Sequence, residues 1–431
     1  MGKLHAIALG CQMSAADGAE LAEPLLRRGL RWTDSPQEAD AIVIATCTVR
    51  QHAEDRALSL IGSLKPWREA DERRVLIVSG CAAERLKGWL QERFPHVDLV
   101  VGAKSVEDYP KLVEQALGRR FDALAENLEA FGAARAPSPT GSPATAFLTI
   151  MRGCNYSCSY CIVPAVRGRE LYRPVEAILE EARRRLDEGA RELMLLGQTV
   201  NSYRGEHKGR PVRFAELLRL LDALPGLKRL RFMSPHPFFV DERLARAMAE
   251  CRSVCPQLHL PAQSGSDRLL KLMRRNYTRG ELLRKAQLLR RHLPGVVLST
   301  DVIVGFPTET DEDFEMTLTM LEELAPASAY CFKYSPRQPT EAALWPDDCP
   351  PSLKEERLAR LNEAVDRLTE ASLLAQRGRR FEVLVEQGGF GRTPEGYKAR
   401  WNGAAGLPGE LVSVRVTGAS RRTLLGERDE R

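Results

Sequence analysis

The sequence predicts an α/β protein in three parts: an N-terminal doubly wound parallel α/β domain, a central partial (β/α)6 barrel, and a small C-terminal all-β barrel of OB type. Three observations predict it. Short apolar strands alternate with amphipathic helices from residue 3 to about 118, the pattern of a parallel sheet covered on both faces. A strand–helix unit then repeats six times from Ala146. Beyond Gly378 helical periodicity gives way to short strands broken by glycine turns. The expected boundaries are 1–118, a linker over 119–145, 146–376 and 377–431.

In the first part, strands are expected at Lys3–Leu9, Ala41–Ala45, Val75–Val78 and Val97–Val101. Three of them are followed, with one or two residues between, by a cysteine: Cys11, Cys47 and Cys81. In a parallel sheet all carboxyl ends share one edge, where such folds bind ligands. Thiolates far apart in sequence can therefore converge there. Three structural cysteines are the alternative, but buried cysteines should fall inside strands rather than at their exits.

The stretch Arg135–Thr145 holds Pro137, Pro139 and Pro143 among Ser, Thr, Gly and Ala, a linker composition. Barrel strands are then expected at Phe147–Met151, Leu193–Leu196, Arg229–Met233, Gln257–Leu260, Val296–Val304 and Ala329–Tyr334. Eight such units would close a barrel with its active site at the strand carboxyl ends; six leave it open on one side, which suits a large substrate. Several strands end in polar or glycine-rich tails. Gly197-Gln198, Ser234-Pro235-His236, Gln263 and Gly305 are among them, and plain βα-turn chemistry is the alternative use for each. His236 and His259 can be proton donors or metal ligands, but lone histidines are more often packing or surface residues.

The first barrel strand runs into Cys154-Asn155-Tyr156-Ser157-Cys158-Ser159-Tyr160-Cys161. Three thiolates at gaps of three and then two residues can ligate three irons of one iron–sulfur cube. The fourth iron is left open, as a catalytic metal keeps an open position. Zinc would want a fourth Cys or His, and none lies within about thirty residues. The spacing, with an aromatic before the last cysteine, resembles that of radical S-adenosylmethionine (SAM) enzymes. Cys251, Cys255, Cys331 and Cys349 have no matching partners and are expected to be structural.

The chain has 431 residues, 43% of them apolar and 28% charged, ordinary for a soluble globular protein. No apolar run approaches the eighteen or so residues of a membrane span, and no leader peptide is visible, so a cytosolic protein without a membrane partner is expected. Ten cysteines in a reducing compartment argue for metal chemistry rather than disulfides. The net charge of +5 is mildly basic and permits a nucleic-acid partner.

A long amphipathic helix over Lys354–Gln376 leads into the tail, where four strands are expected at Phe381–Val385, Tyr397–Trp401, Leu411–Val416 and Thr423–Leu425. Residues 377–431 hold eleven basic against seven acidic residues, nearly all of the chain's net charge. Arg379, Arg380, Lys398 and Arg400 alternate with Phe381, Tyr397 and Trp401, the combination of charge and rings that single-stranded RNA binders use. Phe381 and Trp401 can equally fill the little barrel's core. No cluster cysteine lies beyond Cys161, so the tail is expected to be removable without loss of either cluster.

The resemblance to one family spans nearly the whole chain. Gly10-Cys11-Gln12-Met13, Thr46-Cys47-Thr48-Val49-Arg50 and Gly80-Cys81-Ala82-Ala83-Glu84-Arg85 resemble the N-terminal domain of the radical-SAM methylthiotransferases. Gln12-Met13 is similar to the MiaB-type branch that forms 2-methylthioadenosine in tRNA, with Ser14 where that branch usually has Asn. Central stretches match as well, with Ala262 and Thr308 as departures, and Arg167-Gly168-Arg169-Glu170 resembles a segment of the family. The tail is similar to a TRAM domain but departs from the pattern at Gly391–Tyr397, where the usual asparagine is missing.

The resemblance implies two [4Fe–4S] clusters, on Cys11, Cys47 and Cys81 (auxiliary) and on Cys154, Cys158 and Cys161 (radical-SAM), with SAM near Tyr160, Gly197, Gln198, Gln263 and Gly305. It implies a methylthio group added to C2 of an N6-isopentenyl adenosine beside the tRNA anticodon. The alternatives are N6-threonylcarbamoyladenosine in tRNA and a ribosomal-protein aspartate. The implied partners are the tRNA anticodon stem-loop, an electron donor such as flavodoxin or ferredoxin, and a sulfur source; a monomer is expected. RNA contacts are expected at Arg167, Arg169, Arg379, Arg380, Tyr397, Lys398 and Arg400.

Overall fold

The computed structural model describes residues 2–49, 51–106, 108–124 and 142–429. Most of the proline-rich linker lies outside them. The chain divides into two compact units, the first formed by residues up to 141 together with Val163–Arg169, the second by Ser142–Ile162 and Glu170 onward.

The first unit is a five-stranded, all-parallel sheet: β1 (Lys3–Ala8), β2 (Arg31–Trp32), β3 (Ala41–Thr46), β4 (Val75–Gly80) and β5 (Leu99–Gly102) in the order β2-β1-β3-β4-β5. Strands β3 and β4 are buried along their whole length, which is why AIVIAT and VLIVSG read as continuous apolar runs rather than alternations. Helices α1 (Gln12–Arg27), α2 (Gln51–Ser63), α3 (Lys65–Glu69), α4 (Cys81–Arg93) and α5 (Tyr109–Leu124) cover the two faces and divide the apolar residues into two cores, one around Leu21, Leu25 and Val43, the other around Ile42, Ile44 and Leu90. The strand order reverses direction between β1 and β3, the switch point at which doubly wound sheets open a crevice. The two-residue edge strand β2 is too short to carry a periodic signal. The short helix α6 (Val163–Arg167) also belongs to this unit.

The second unit begins with two three-stranded parallel sheets. One holds β6 (Thr145–Thr149), β9 (Glu192–Leu196) and β12 (Arg229–Phe232); the other holds β13 (Gln257–His259), β14 (Val297–Val304) and β15 (Ser328–Lys333). A bridge between Leu230 and Val254 joins them, so the six expected strands form one open arc. On β14 Leu298, Thr300, Val302 and Val304 are buried, while Val297, Ser299, Asp301 and Ile303 keep partial access on the other face. The helices α7 (Val175–Asp187), α8 (Phe214–Asp222), α9 (Glu242–Glu250), α10 (Asp267–Leu272), α11 (Arg279–His292), α12 (Asp311–Leu324) and α13 (Pro351–Leu374) complete the arc. Local sequence sets several starts: the Thr278 and Thr310 hydroxyls accept from the backbone N–H of Glu281 and Asp313, which bond back in capping boxes. Two small antiparallel pairs carry no signal in the sequence: β7 (Met151–Arg152) with β8 (Leu171–Tyr172), and β10 (Arg204–His207) with β11 (Arg210–Arg213).

The tail closes into a barrel of five strands, not four: β16 (Arg380–Gln387), β17 (Phe390–Arg392), β18 (Lys398–Asn402), β19 (Leu411–Ser420) and β20 (Thr423–Arg428). The extra strand is three residues long with Gly391 at its centre, too short for alternation to show; an added Cβ at Gly391 would fall on the Leu384 carbonyl. Phe381 and Trp401 both fill the core. Two arginines of β12 fasten this barrel to the arc. Arg229 donates to the Arg392 and Glu382 carbonyls (2.6 Å each), and Arg231 to those of Pro394 (2.9 Å) and Thr393 (2.7 Å) while its Nε donates to Glu192 (2.8 Å). The segment Gly391–Tyr397, where the TRAM resemblance breaks, is thus the one that docks onto β12.

Candidate functional site

In the first unit the strand exits hold the three thiols as expected from their positions. Cys11 is the N-cap of α1, Cys47 follows β3 directly, and Cys81 opens α4. Cys11 and Cys47 therefore flank the switch point, and two of the thiols sit at helix N-termini, where the backbone N–H groups favour a thiolate. Gly10 permits the close approach, because a Cβ there would collide with Cys47. Gly80, at φ +104°, would place one on the Thr46 carbonyl. The Cys47 loop is clamped: Thr48 donates to Glu54 (2.5 Å), Arg85 donates to Thr48 (2.9 Å) and pairs with Glu54, and the Thr46 hydroxyl donates to the Ser79 carbonyl (2.6 Å) while accepting from Ala83 N–H (3.1 Å).

The thiols sense one another. The Cys47 S–H bonded to Cys11 holds the Cys11 thiol down at about 5, and the same bond, burial and the neighbouring thiols push Cys47 up. Burial pushes Cys81 up as well, with Arg167 opposing it. Cys11 keeps access to solvent while Cys47 and Cys81 are buried. No group of three His, Cys, Asp or Glu among the described residues closes tightly enough to hold a single metal ion. A four-iron cube needs a wider set, since each sulfur binds a different iron. Three clustered thiols, with Cys11 held low and open to solvent, fit such a cube with one iron free.

In the second unit Cys154, Cys158 and Cys161 lie in the irregular loop after β7. Gly153, at φ +77°, donates its N–H to the Gln198 side chain (2.5 Å), and Ser159 is tied to Leu272, Met273 and Ala342 by backbone and hydroxyl bonds. The sulfurs have donors: Thr199 lies 3.4 Å from Cys154 Sγ, and Arg275 Nη1 donates to Cys158 Sγ (3.3 Å). Cys158 also raises the Cys154 thiol, after burial. A fixed loop whose thiols are close and already approached by N–H and O–H donors fits a cluster with three protein ligands.

The residues expected near SAM follow the strand ends. Gly197 and Gln198 follow β9, Gln263 adopts φ +71°, and Gly305 (φ +68°) donates its N–H to Glu309 (2.6 Å). Tyr160 packs edge-on to Phe306 within the cysteine loop. His236 is buried and stacked on Tyr156 at 4.2 Å; its Nδ1 accepts from Phe238 N–H, so Nε2 carries the proton. His259 pairs with Asp301 (3.2 Å) and Ser299 (3.0 Å). Cys251, Cys255 and Cys349 are buried and Cys331 is half-buried. Burial raises all four thiols, and the other groups acting on them are carboxylates, guanidiniums and, at Cys349, Lys354, as suits structural cysteines.

Two expected RNA contacts are corrected. Arg167 is not at the surface: its side chain is 4% exposed, Nη2 donates to Asp17 (2.6 Å) and Nε to Cys81 Sγ (3.1 Å). Burial works against its charge, and Asp17 with the thiols of Cys81 and Cys11 more than offsets it. Tyr397 is in the barrel core with its hydroxyl 2.8 Å from that of Ser372, so no base can stack on it. Arg169, Lys398 and Arg400 are exposed. Arg379 lies over the Phe381 ring (4.9 Å), and Arg380 pairs with Asp429 (2.6 Å). The sequence offered no signal for Asp17 or Arg275, isolated polar residues that long-range packing brings to Arg167 and to Cys158.

Residues 148–321 match the Radical SAM superfamily, and residues 3–102 match a family described as uncharacterized, UPF0004. A tRNA-2-methylthio-N(6)-dimethylallyladenosine synthase from Porphyromonas gingivalis is 41% identical over 99% of this chain and 94% of its own. A synthase of the same name from Clostridium novyi is 38% identical over 97% and 94%. Among solved structures, the radical SAM methyltransferase TsrM from Kitasatospora setae, with cobalamin and a [4Fe–4S] cluster bound, shares the fold at a TM-score of 0.57 and 16% identity, covering 79% of this chain and 77% of that one. On its matched superfamily domain and its near-complete alignment with the synthases, this chain belongs to the radical-SAM methylthiotransferases, in the branch of the tRNA-2-methylthio-N(6)-dimethylallyladenosine synthases.

Proposed function

We propose that this chain adds a methylthio group to C2 of N6-dimethylallyladenosine beside the tRNA anticodon. The observation that carries it is the pair of separate three-thiol sets, Cys11/Cys47/Cys81 and Cys154/Cys158/Cys161, each fitted for a cluster with one open iron, in a chain alike to the synthases from end to end. When bound, the clusters and SAM supply one-electron SAM cleavage at one site and a transferable sulfur at the other, chemistry that ordinary acids and bases cannot perform on an adenine C–H.

The protein's own task is positioning. Gln198 holds the start of the radical-SAM loop through Gly153, and Thr199 and Arg275 reach the Cys154 and Cys158 sulfurs. The Thr48–Glu54–Arg85 network fixes the loop that carries Cys47. Tyr160, Gly197, Gln198, Gln263 and Gly305 are the residues that would meet SAM. The exposed Lys398 and Arg400, with Arg379, Arg380 and Arg169, suit the phosphates of the anticodon stem-loop, since direct charge contacts supply most of such affinity. A flavodoxin- or ferredoxin-type donor would provide the electron and a separate source the sulfur. Among the described residues no helix is long and apolar enough to cross a membrane. The proposed setting is the cytoplasm, with the chain acting as a monomer.

The test is the reconstituted, reduced protein incubated with SAM, sulfide and tRNA bearing dimethylallyladenosine. Both 5′-deoxyadenosine and the 2-methylthio nucleoside should form. SAM cleavage with no methylthio product on that tRNA would overturn the assignment.

A further inference from the structure

Arg167 is a strange residue to bury. Its guanidinium offers five N–H groups, and two of its nitrogens are engaged: Nε donates to Cys81 Sγ at 3.1 Å and Nη2 to Asp17 Oδ2 at 2.6 Å. The third, Nη1, is buried without a hydrogen-bond partner. An unsatisfied buried charged donor is costly, and a native fold tolerates one where something absent from the bare chain completes it. Asp17, wholly buried on α1, anchors the guanidinium at its far end, so the orphan nitrogen is fixed rather than free to turn away. The guanidinium end of this pair lies beside the thiol set of the first unit and turns N–H groups toward it.

We propose that Arg167 holds the sulfur ligand on the open iron of the N-terminal cluster, its Nη1 donating to that sulfur while Nε donates to the Cys81 thiolate. The proposal rests on the two-cluster assignment above. The ligand class is an anionic sulfur species, sulfide or an alkanethiolate. Such a ligand adds negative charge to a site that three thiolates already make anionic, and a fixed guanidinium favours the loaded over the empty form. Asp17 then acts as a positioning residue, aiming the guanidinium without touching the sulfur. A lysine could supply the charge but not the fork that reaches two acceptors at once.

The test uses the full chain carrying Cys154→Ala, Cys158→Ala and Cys161→Ala, so that the N-terminal cluster is the one observed. The protein is reconstituted anaerobically and titrated with sodium methanethiolate, followed by the EPR spectrum of the reduced cluster. With Arg167 present the signal should shift as the thiolate binds. Arg167→Gln should weaken that binding by about ten- to a hundredfold, the equivalent of one charge-assisted hydrogen bond, and should lower the cluster's reduction potential, because an N–H···S bond and a positive charge both disappear. Arg167→Lys should fall between, and Asp17→Asn should weaken binding less than Arg167→Gln. Unchanged affinity in Arg167→Gln would overturn the proposal. So would loss of iron from the Gln and Lys variants alike, which would make Arg167 a support of the cluster rather than a holder of its ligand. A parent chain that takes up no iron would instead sink the two-cluster assignment itself, a result distinguishable from either.

Discussion

Replacing Arg231 with methionine should cost about 3–5 kcal/mol of stability, the usual consequence of removing one member of a buried ion pair. Arg231 is fully buried and Glu192, its partner at 2.8 Å, is 4% exposed. Methionine matches much of the arginine's length but leaves the Glu192 carboxylate in a dry site, where the Thr145 hydroxyl at 3.4 Å is a weak substitute for a guanidinium. It also removes one donor each from the Thr393 and Pro394 carbonyls, of which Thr393 keeps the Gly396 N–H at 3.0 Å. The double variant Arg231→Met with Glu192→Leu should recover most of the loss, leaving about 1–3 kcal/mol for the Pro394 carbonyl that loses its donor. Because the unit has more than one cooperative part, the assay is hydrogen exchange followed by mass spectrometry rather than a single melting curve. Peptides covering 392–397 and 228–233 should lose protection together in the single variant and regain much of it in the double. Protection unchanged at 392–397 would refute the claim that Arg231 fastens the barrel. The same bonds add a stability cost to the expectation that the tail can be removed without loss of either cluster. Ending the chain near Gln376 deletes four carbonyls that receive Arg229 and Arg231, so truncation should destabilise the arc as well as weaken tRNA binding.

Three further outcomes are expected. Cys47→Ala should still yield 5′-deoxyadenosine but no methylthio product, whereas the Cys154/Cys158/Cys161 triple alanine variant should make neither and keep about half the iron, the share of one of two like clusters; chromatography of the reaction and iron analysis check both. Lys398→Ala with Arg400→Ala should lower tRNA affinity and flatten its log–log salt dependence by about 0.7 for each phosphate left without a cation, read from titrations at several salt concentrations. Burial, helped by Arg275 and Lys285, lowers the His236 pKa to about 3, so between about 3 and 6.5 the unfolded chain binds the proton and the native one does not. Its contribution is therefore complete above about pH 6.5 and falls as pH drops, by about 2 kcal/mol between pH 7 and 5; His236→Gln should remove that part of the acid sensitivity in denaturant unfolding, and an identical pH dependence would count against a buried neutral imidazole.

Much of the fold is legible in the sequence because its signals are local. The six arc strands match their apolar runs to within a residue or two at most ends, and the thiol triplet 154–161 is contiguous. The position of Cys11, Cys47 and Cys81 at strand exits carries their convergence, since one edge collects every carboxyl end of a parallel sheet. What the sequence hides is long-range. Arg167 and Tyr397 look like surface groups by type, yet Asp17, 150 positions away, draws one inside, and barrel closure takes the other. Strand β17 is too short to show alternation, and the docking of Gly391–Tyr397 onto β12 depends on partners about 160 residues distant, which no periodicity reports.

The most direct measurement is mass spectrometry of tRNA nucleosides from a strain lacking this chain. There 2-methylthio-N6-dimethylallyladenosine should disappear and N6-dimethylallyladenosine accumulate in its place, and the intact chain, but not Cys47→Ala, should restore the modification. A strain that keeps the methylthio nucleoside, or loses a different one, would contradict the proposed function.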